Sequence, residues 1–281
     1  MRETVKKVSI LLPSAIWLAL FFVLPLIIIL VYSFATRGPF GGVEFVFNPE
    51  NYVRVIDSMY AGILWRSVYI SIISTVICLL IGYPLALYIS RQESAYRNIL
   101  LALLIIPFWT NFLVRTYSWM FILRTEGLLN NTLIYLGLIS EPLQILFTDT
   151  AVIIGLVYTY LPFMVLPVYV SLDKMDRNLL MAARDLGATP FQSFRKVILP
   201  LTRPGVISGS ILVFVPCIGA YITPDILGGS RSMMVGNLIQ MQFLSARDWP
   251  FGSALSFVLM AIVLLLLLVL ARQDRKEEVQ S

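Results

Sequence analysis

The sequence predicts an all-α integral membrane protein of six transmembrane helices, and three observations predict it. Hydrophobic residues make up 58% of the 281 and charged residues only 13%, with a mean hydropathy of +0.85, far from the averages of soluble domains. The apolar residues are gathered into runs long enough to cross a bilayer rather than spaced as amphipathic stripes. Between two of these runs stands a polar, helix-forming insert, and fourteen of the 21 lysines and arginines fall on the side of the membrane that holds it.

Taken in order, Arg2, Lys6 and Lys7 precede an apolar run over 8–35. That run exceeds the roughly 7–15 residues of a signal-peptide core and reads as an uncleaved first span, kinked at Pro13 and Pro25. A loop with Pro39, Pro49, Glu44, Glu50 and Asp57 follows, with a short helix expected around Glu50–Asp57. The second span is placed at 63–90, with Pro84 near its inner end, and a turn carrying Arg91 and Arg97 leads to a third at 98–123. Residues 124–150 form an outer loop with one interfacial helix over Leu128–Ile139. The fourth span is 151–172, with Pro162 and Pro167, and the polar insert occupies 173–203. The fifth span is 204–221. The segment Thr223–Ser232 is rich in turn residues, Met233–Leu244 is amphipathic, and ARDWPFG (Ala246–Gly252) leads into the sixth span at 253–271. The charged tail from Arg272 is expected to fray. The whole reads as a single transmembrane domain, 1–281.

Within the insert, Asp176 is suited to cap a first helix in which Leu179, Ala182, Ala183 and Leu186 share a face. Gly187 stands where a helix ends in a left-handed residue. Thr189-Pro190-Phe191-Gln192 then supplies an N-cap, a proline at N1 and a glutamine at N3, a capping box that opens a second helix. Phe191, Phe194 and Ile198 line its apolar side and Pro200 ends it. The prediction is helix–turn–helix on the cytoplasmic face, with both termini on that same side.

The pattern Ala182, Ala183, Gly187, Val197, Leu199, Pro200 (AA-x3-G-x9-V-x-LP) resembles the EAA loop of ABC-importer permease subunits, with Met181 where that loop begins with glutamate. LTRPG follows at Leu201–Gly205. The resemblance implies a type I ABC importer permease fold whose coupling helices dock on a nucleotide-binding subunit, and it assigns that contact to Ala182, Ala183, Asp185, Gly187 and Ala188.

Several kinds of chemistry are excluded. The chain has no histidine, no phosphate-binding Walker sequence and no nucleophile elbow, so a catalytic role of its own is not expected. Cys78 and Cys217 lie inside apolar segments and offer neither a disulfide framework nor a metal site. The net charge of +5 follows from the inner loops and calls for no nucleic acid.

Polar and aromatic residues in or beside the spans are the candidates for a translocation path. Arg115 is the one charge inside a span, with snorkelling to the outer interface as the competing role. Trp109 and Asn111 share its segment. Tyr221 and Asp225, and Asp248 and Trp249, pair a carboxylate with a ring near the outer ends of the last two spans, an arrangement suited to an organic cation. Against this, each aspartate has a structural alternative, pairing with Arg231 or Arg247 or capping a turn.

IIPFWTNFLVRTY (Ile105–Tyr117), VIIGLVYTYLPFMVLPVY (Val152–Tyr169), AARDLGA (Ala182–Ala188) and RDWPFG (Arg247–Gly252) are similar to the permease subunits of spermidine/putrescine importers. That similarity implies an inner-membrane subunit paired with a second permease, two ATP-binding subunits and an external or periplasmic polyamine-binding protein, with ATP and Mg held by the partner ATPase and no cofactor on this chain. A permease for another small organic cation or a phosphonate is the neighbouring alternative. An ion-coupled secondary transporter is the alternative of another class, for which no internal repeat is visible.

Overall fold

The computed structural model describes residues 12–14, 16–176 and 178–278, with side chains as far as residue 268. The basic N-terminal segment, the start of the first span at Val8, and Arg177 lie outside the described residues. Among those described, four helices are long and apolar enough to cross a membrane: α1 (Leu12–Ser33), α3 (Ser58–Ser90), α7 (Asp149–Asp173) and the first part of α12, Trp249–Leu268. Two bent pairs raise the number to six: α4 (Ser94–Trp109) with Phe112–Tyr135, bent by 93°, and α9 (Pro190–Leu201) with α10 (Arg203–Ile218), bent by 64°. Among the described residues the fold is all-α apart from one two-stranded ribbon.

The third span was expected as one continuous helix over 98–123, and it is broken instead. Pro107 has no N–H to give the preceding turn. The chain tightens into a 3-10 turn over Ile106–Trp109, is extended at Thr110, and restarts at Asn111, whose Oδ1 accepts from the Leu113 amide at 2.8 Å to cap α5 (Phe112–Leu123). Short α6 (Leu128–Tyr135) follows, ending near Gly137 rather than at Ile139. In α1 the missing N–H of Pro25 is accommodated by a π turn over Ala19–Val23. The segment expected to be turns, Thr223–Ser232, is a π turn (Pro224–Gly228) running into a 3-10 turn (Gly229–Ser232). The amphipathic segment forms α11 (Val235–Leu244), and the sixth span, α12 (Trp249–Glu278), starts inside the expected loop and runs through Arg272, where fraying was expected.

Contacts divide the chain into two compact units, Met1–Gly62 with Leu238–Ile262 and Ile63–Asn237 with Val263–Ser281. In the first, α1 leads into the ribbon β1 (Thr36–Arg37) and β2 (Val43–Glu44), antiparallel with Thr36 opposite Glu44, and then into α2 (Glu50–Ile56). Buried Asn51 donates to the carbonyls of Ser33 and Ala35 at 3.1 and 2.8 Å, tying α2 to the end of α1. Arg37 donates to the Ala246 carbonyl at 2.7 Å, so the ribbon also holds the loop ahead of α12.

In the second unit, buried residues of α3 (Ile70, Cys78, Tyr83), α7 (Val152, Leu156, Met164, Val168) and α10 (Val213, Cys217) form the core. Helices α7 and α10 approach closely because α10 presents Gly205 and Gly209 four residues apart. A Cβ at Gly205 would stand 2.7 Å from the Pro167 carbonyl and one at Gly209 2.9 Å from the Met164 sulfur. Small residues at this spacing are what packing in lipid requires, since burial of apolar surface drives little there.

Candidate coupling surface and translocation residues

The insert folds as its caps direct. The Asn178 amide donates to Asp176 Oδ1 at 2.9 Å, opening α8 (Asn178–Asp185). At its other end Gly187 has φ +81°, and the amides of Gly187 and Ala188 reach back to the carbonyls of Arg184 (2.8 Å) and Ala183 (3.0 Å). The capping box is complete: Gln192 N donates to Thr189 Oγ1 at 3.3 Å and Thr189 N to Gln192 Oε1 at 2.9 Å.

Beyond the box the second helix departs from expectation. It widens into a π turn over Phe194–Ile198, and Pro200 does not end it; the break comes at Thr202. The π turn shifts the Leu199 amide to the Phe194 carbonyl, and this wider turn accommodates the missing N–H of Pro200, so the helix tolerates it. Fully buried Thr202 accepts or donates to Tyr83 Oη of α3 at 2.7 Å, and Phe194 packs edge-on to the same ring at 5.7 Å. The joint between the insert and α10 is thus fixed to the core.

The outward side of the insert finds no cover among the described residues. Leu186 is 88% exposed, Phe191 69% and Met181 55%. Phe191 therefore does not share the buried side taken by Phe194 and Ile198. Of the predicted contact residues Ala182, Asp185 and Gly187 are exposed and Ala183 and Ala188 half-buried. Under α8 lies a cavity of about 410 Å³ bounded by Leu87, Leu172, Leu180, Met181 and Arg184. Such large apolar side chains on a polar loop mark a contact surface.

The path candidates separate into distinct roles. Arg115 does not snorkel outward. It is buried, its Nη1 donates to the Pro107 carbonyl at 2.9 Å, and its guanidinium lies over Phe108 at 4.9 Å and near Phe112 and Tyr158. It therefore staples the break in the third span. Asn111 caps α5, while Trp109, at the bend, is 88% exposed.

Asp248 is corrected from path residue to structural residue. Only 4% exposed, it pairs with Arg54 at 3.0 Å and accepts from the Phe251 amide at the start of α12. Arg54 in turn lies 4.0 Å from the Phe251 ring centroid. Trp249 packs against Tyr32 and Phe243.

Asp225 differs. Its carboxylate is exposed and forms no ion pair or hydrogen bond among the described residues, so the expected alternative pairing with Arg231 is absent. Its amide donates to the Tyr221 carbonyl at 3.0 Å, which stacks the two residues one turn apart, with Tyr221 43% exposed. The chain is unwound just before them, at Gly219–Ala220, and Asn237 donates to the Tyr221 carbonyl at 2.7 Å to hold it there.

An all-helical membrane chain that presents a capped helix–glycine–helix surface has the architecture of a type I ABC importer permease. A solved bacterial alginate ABC transporter, in complex with its alginate-pentasaccharide-bound periplasmic protein, superposes with a TM-score of 0.80 over 98% of this chain and 97% of that one, at 15% identity. The family model for the binding-protein-dependent transport system inner membrane component matches residues 78–276, and the chain belongs to that family. It is 47% identical over 259 residues to the spermidine/putrescine transport system permease protein PotB of Escherichia coli K12, covering 92% of this chain and 94% of that protein. It is 44% identical over 276 residues to PotB of Salmonella typhimurium LT2, covering 98% and 96%. This is a non-catalytic inner-membrane subunit of an ABC transporter, and secondary transport is set aside.

Proposed function

We propose that the chain is one of two permease subunits of an ATP-driven polyamine importer, forming with its counterpart the path for spermidine or putrescine delivered by a periplasmic binding protein. The observation that carries this reading is the 44–47% identity to spermidine/putrescine permeases over 92–98% of the chain. The exposed Asp225 and Tyr221 support it, because a polyamine shedding water needs carboxylates and ring faces in exchange. Two ATP-binding subunits, holding ATP and Mg, take up the surface of Leu186, Phe191 and Met181. The bias of basic residues supports an orientation with that surface and both termini in the cytoplasm and Asp225 toward the outside.

The test is copurification with readout of ATP hydrolysis. The chain, expressed with its candidate partners, is expected to bring down an ATPase whose rate rises when polyamine-loaded binding protein is added. Stimulation by a phosphonate- or choline-loaded protein in place of a polyamine-loaded one would transfer the chain to the neighbouring substrate class.

A further inference from the structure

The second unit holds a cavity of about 830 Å³ whose lining includes none of the path candidates. Three segments wall it: Arg124–Glu126 after α5, Gln144–Phe147 before α7, and Gly229–Arg231 after the π turn. Each wall is pinned. Asn130 of α6, 1% exposed, donates to the carbonyls of Arg124, Thr125 and Leu143 and accepts from the Leu143 amide at 3.0 Å, joining the first wall to the second. The Phe147 amide donates to the Leu227 carbonyl at 2.8 Å, and a Cβ on Gly229 (φ +57°) would stand 3.0 Å from the Phe147 ring, so the second wall sits on the third. Arg66 grips the Arg231 carbonyl from α3.

A buried asparagine with four hydrogen bonds is a large commitment to the shape of an otherwise exposed loop cluster. The rim it shapes carries Arg124 and Arg231 against the single carboxylate of Glu126, with the charge of Arg66 close by. Arg124 is further oriented by stacking 5.5 Å from the Phe121 ring. Two guanidinium groups on a fixed frame select a carboxylate, which they bind through paired N–H donors. A polycation is repelled by them, and Asp225 is not among the lining residues.

We propose that this cavity receives an acidic side chain of the periplasmic binding protein, so that Arg124 and Arg231 set where that protein docks. The proposal rests on the orientation and partners given under Proposed function, which put these loops outside the membrane. It is tested in the intact complex reconstituted in nanodiscs, titrating polyamine-loaded binding protein and reading ATP hydrolysis. The charge reversal Arg124→Glu with Arg231→Glu is expected to raise the half-maximal concentration of binding protein on the order of tenfold or more, since opposed charges at a docking surface act chiefly on encounter and release. Glu126→Gln is expected to lower it, and added salt to weaken the wild type more than the reversal variant. An unchanged half-maximal concentration, with the variant complex recovered intact, would overturn the proposal. So would a shift confined to the KM for polyamine, which would make the cavity a cargo site, or loss of the second permease from the variant, which would make it a subunit interface. Failure of binding protein to stimulate the wild-type complex is a different result: it would remove the functional reading, and this proposal with it.

Discussion

Two aspartates that look alike in sequence do different work. Asp248 is buried, ion-paired and hydrogen-bonded at a helix start, while Asp225 is exposed and unpaired among the described residues. Arg54→Ala strands the Asp248 carboxylate. Breaking a fully buried pair costs roughly 3–5 kcal/mol, and because the Arg54 side chain is 43% exposed the expected loss is smaller, about 2 kcal/mol. A lowered Tm in detergent with near-normal transport by the surviving protein is the predicted outcome. Asp225→Asn should do the reverse, keeping Tm and assembly while transport falls substantially. Tyr221→Ala should act in the same direction and more weakly, since a cation–π contact contributes about 0.5–2 kcal/mol. Equal transport by wild type and Asp225→Asn would take Asp225 out of the path. Sequence could not tell these residues apart, because the partner of Asp248 lies 194 positions away. The same is true of Tyr83 and Thr202, 119 apart, whose contact fixes the joint of the insert.

At the scale of elements, what local chemistry writes was legible and what depends on neighbours was not. Thr189, Gln192 and Gly187 act within a few residues of themselves, and the capping box and left-handed glycine stand where their spacing put them. The break at Pro107–Asn111 leaves no mark in hydropathy, because the residues on both sides are equally apolar, and its staple Arg115 reads in sequence equally well as a residue reaching for water. The π turns at Phe194–Ile198 and Pro224–Gly228 likewise have no periodic signature of their own. A Cβ at Gly187 would meet nothing within 4 Å among the described residues, so the predicted effect of replacing it rests on the backbone and on the proposed partner. Gly187→Val forces a β-branched residue to φ +81°, a strain of about 1 kcal/mol or more, and adds bulk beside Leu186. The variant is expected to reach the membrane and lose ATPase association or its stimulation, whereas Met181→Glu, at an exposed position, should be tolerated. Normal transport by Gly187→Val in an intact complex would detach this loop from coupling.

At the scale of the molecule, the chain has the parts of a conduit and none of a motor. Six spans counted from hydropathy correspond, among the described residues, to four single helices and two bent pairs, and the broken pairs are where backbone and polar side chains gather: Asn111 and Arg115 at one, Thr202 at the other, with the unwound Gly219–Ala220 beyond it. Irregular backbone at membrane depth is tolerated only where protein or a cavity covers it, and here Arg115 over the Pro107 turn and Tyr83 against Thr202 supply that cover from within the chain. The central claim, that this permease passes polyamines inward at the expense of ATP hydrolysed by another subunit, is tested most directly by uptake into proteoliposomes. The chain is reconstituted with its second permease and ATPase, with ATP inside and labelled spermidine plus binding protein outside. Accumulation of spermidine that stops when ATP or the binding protein is omitted, and that an ion gradient alone does not support, is the predicted result. Uptake that proceeds without ATP, or an assembled complex that hydrolyses ATP yet leaves spermidine and putrescine outside, would contradict it.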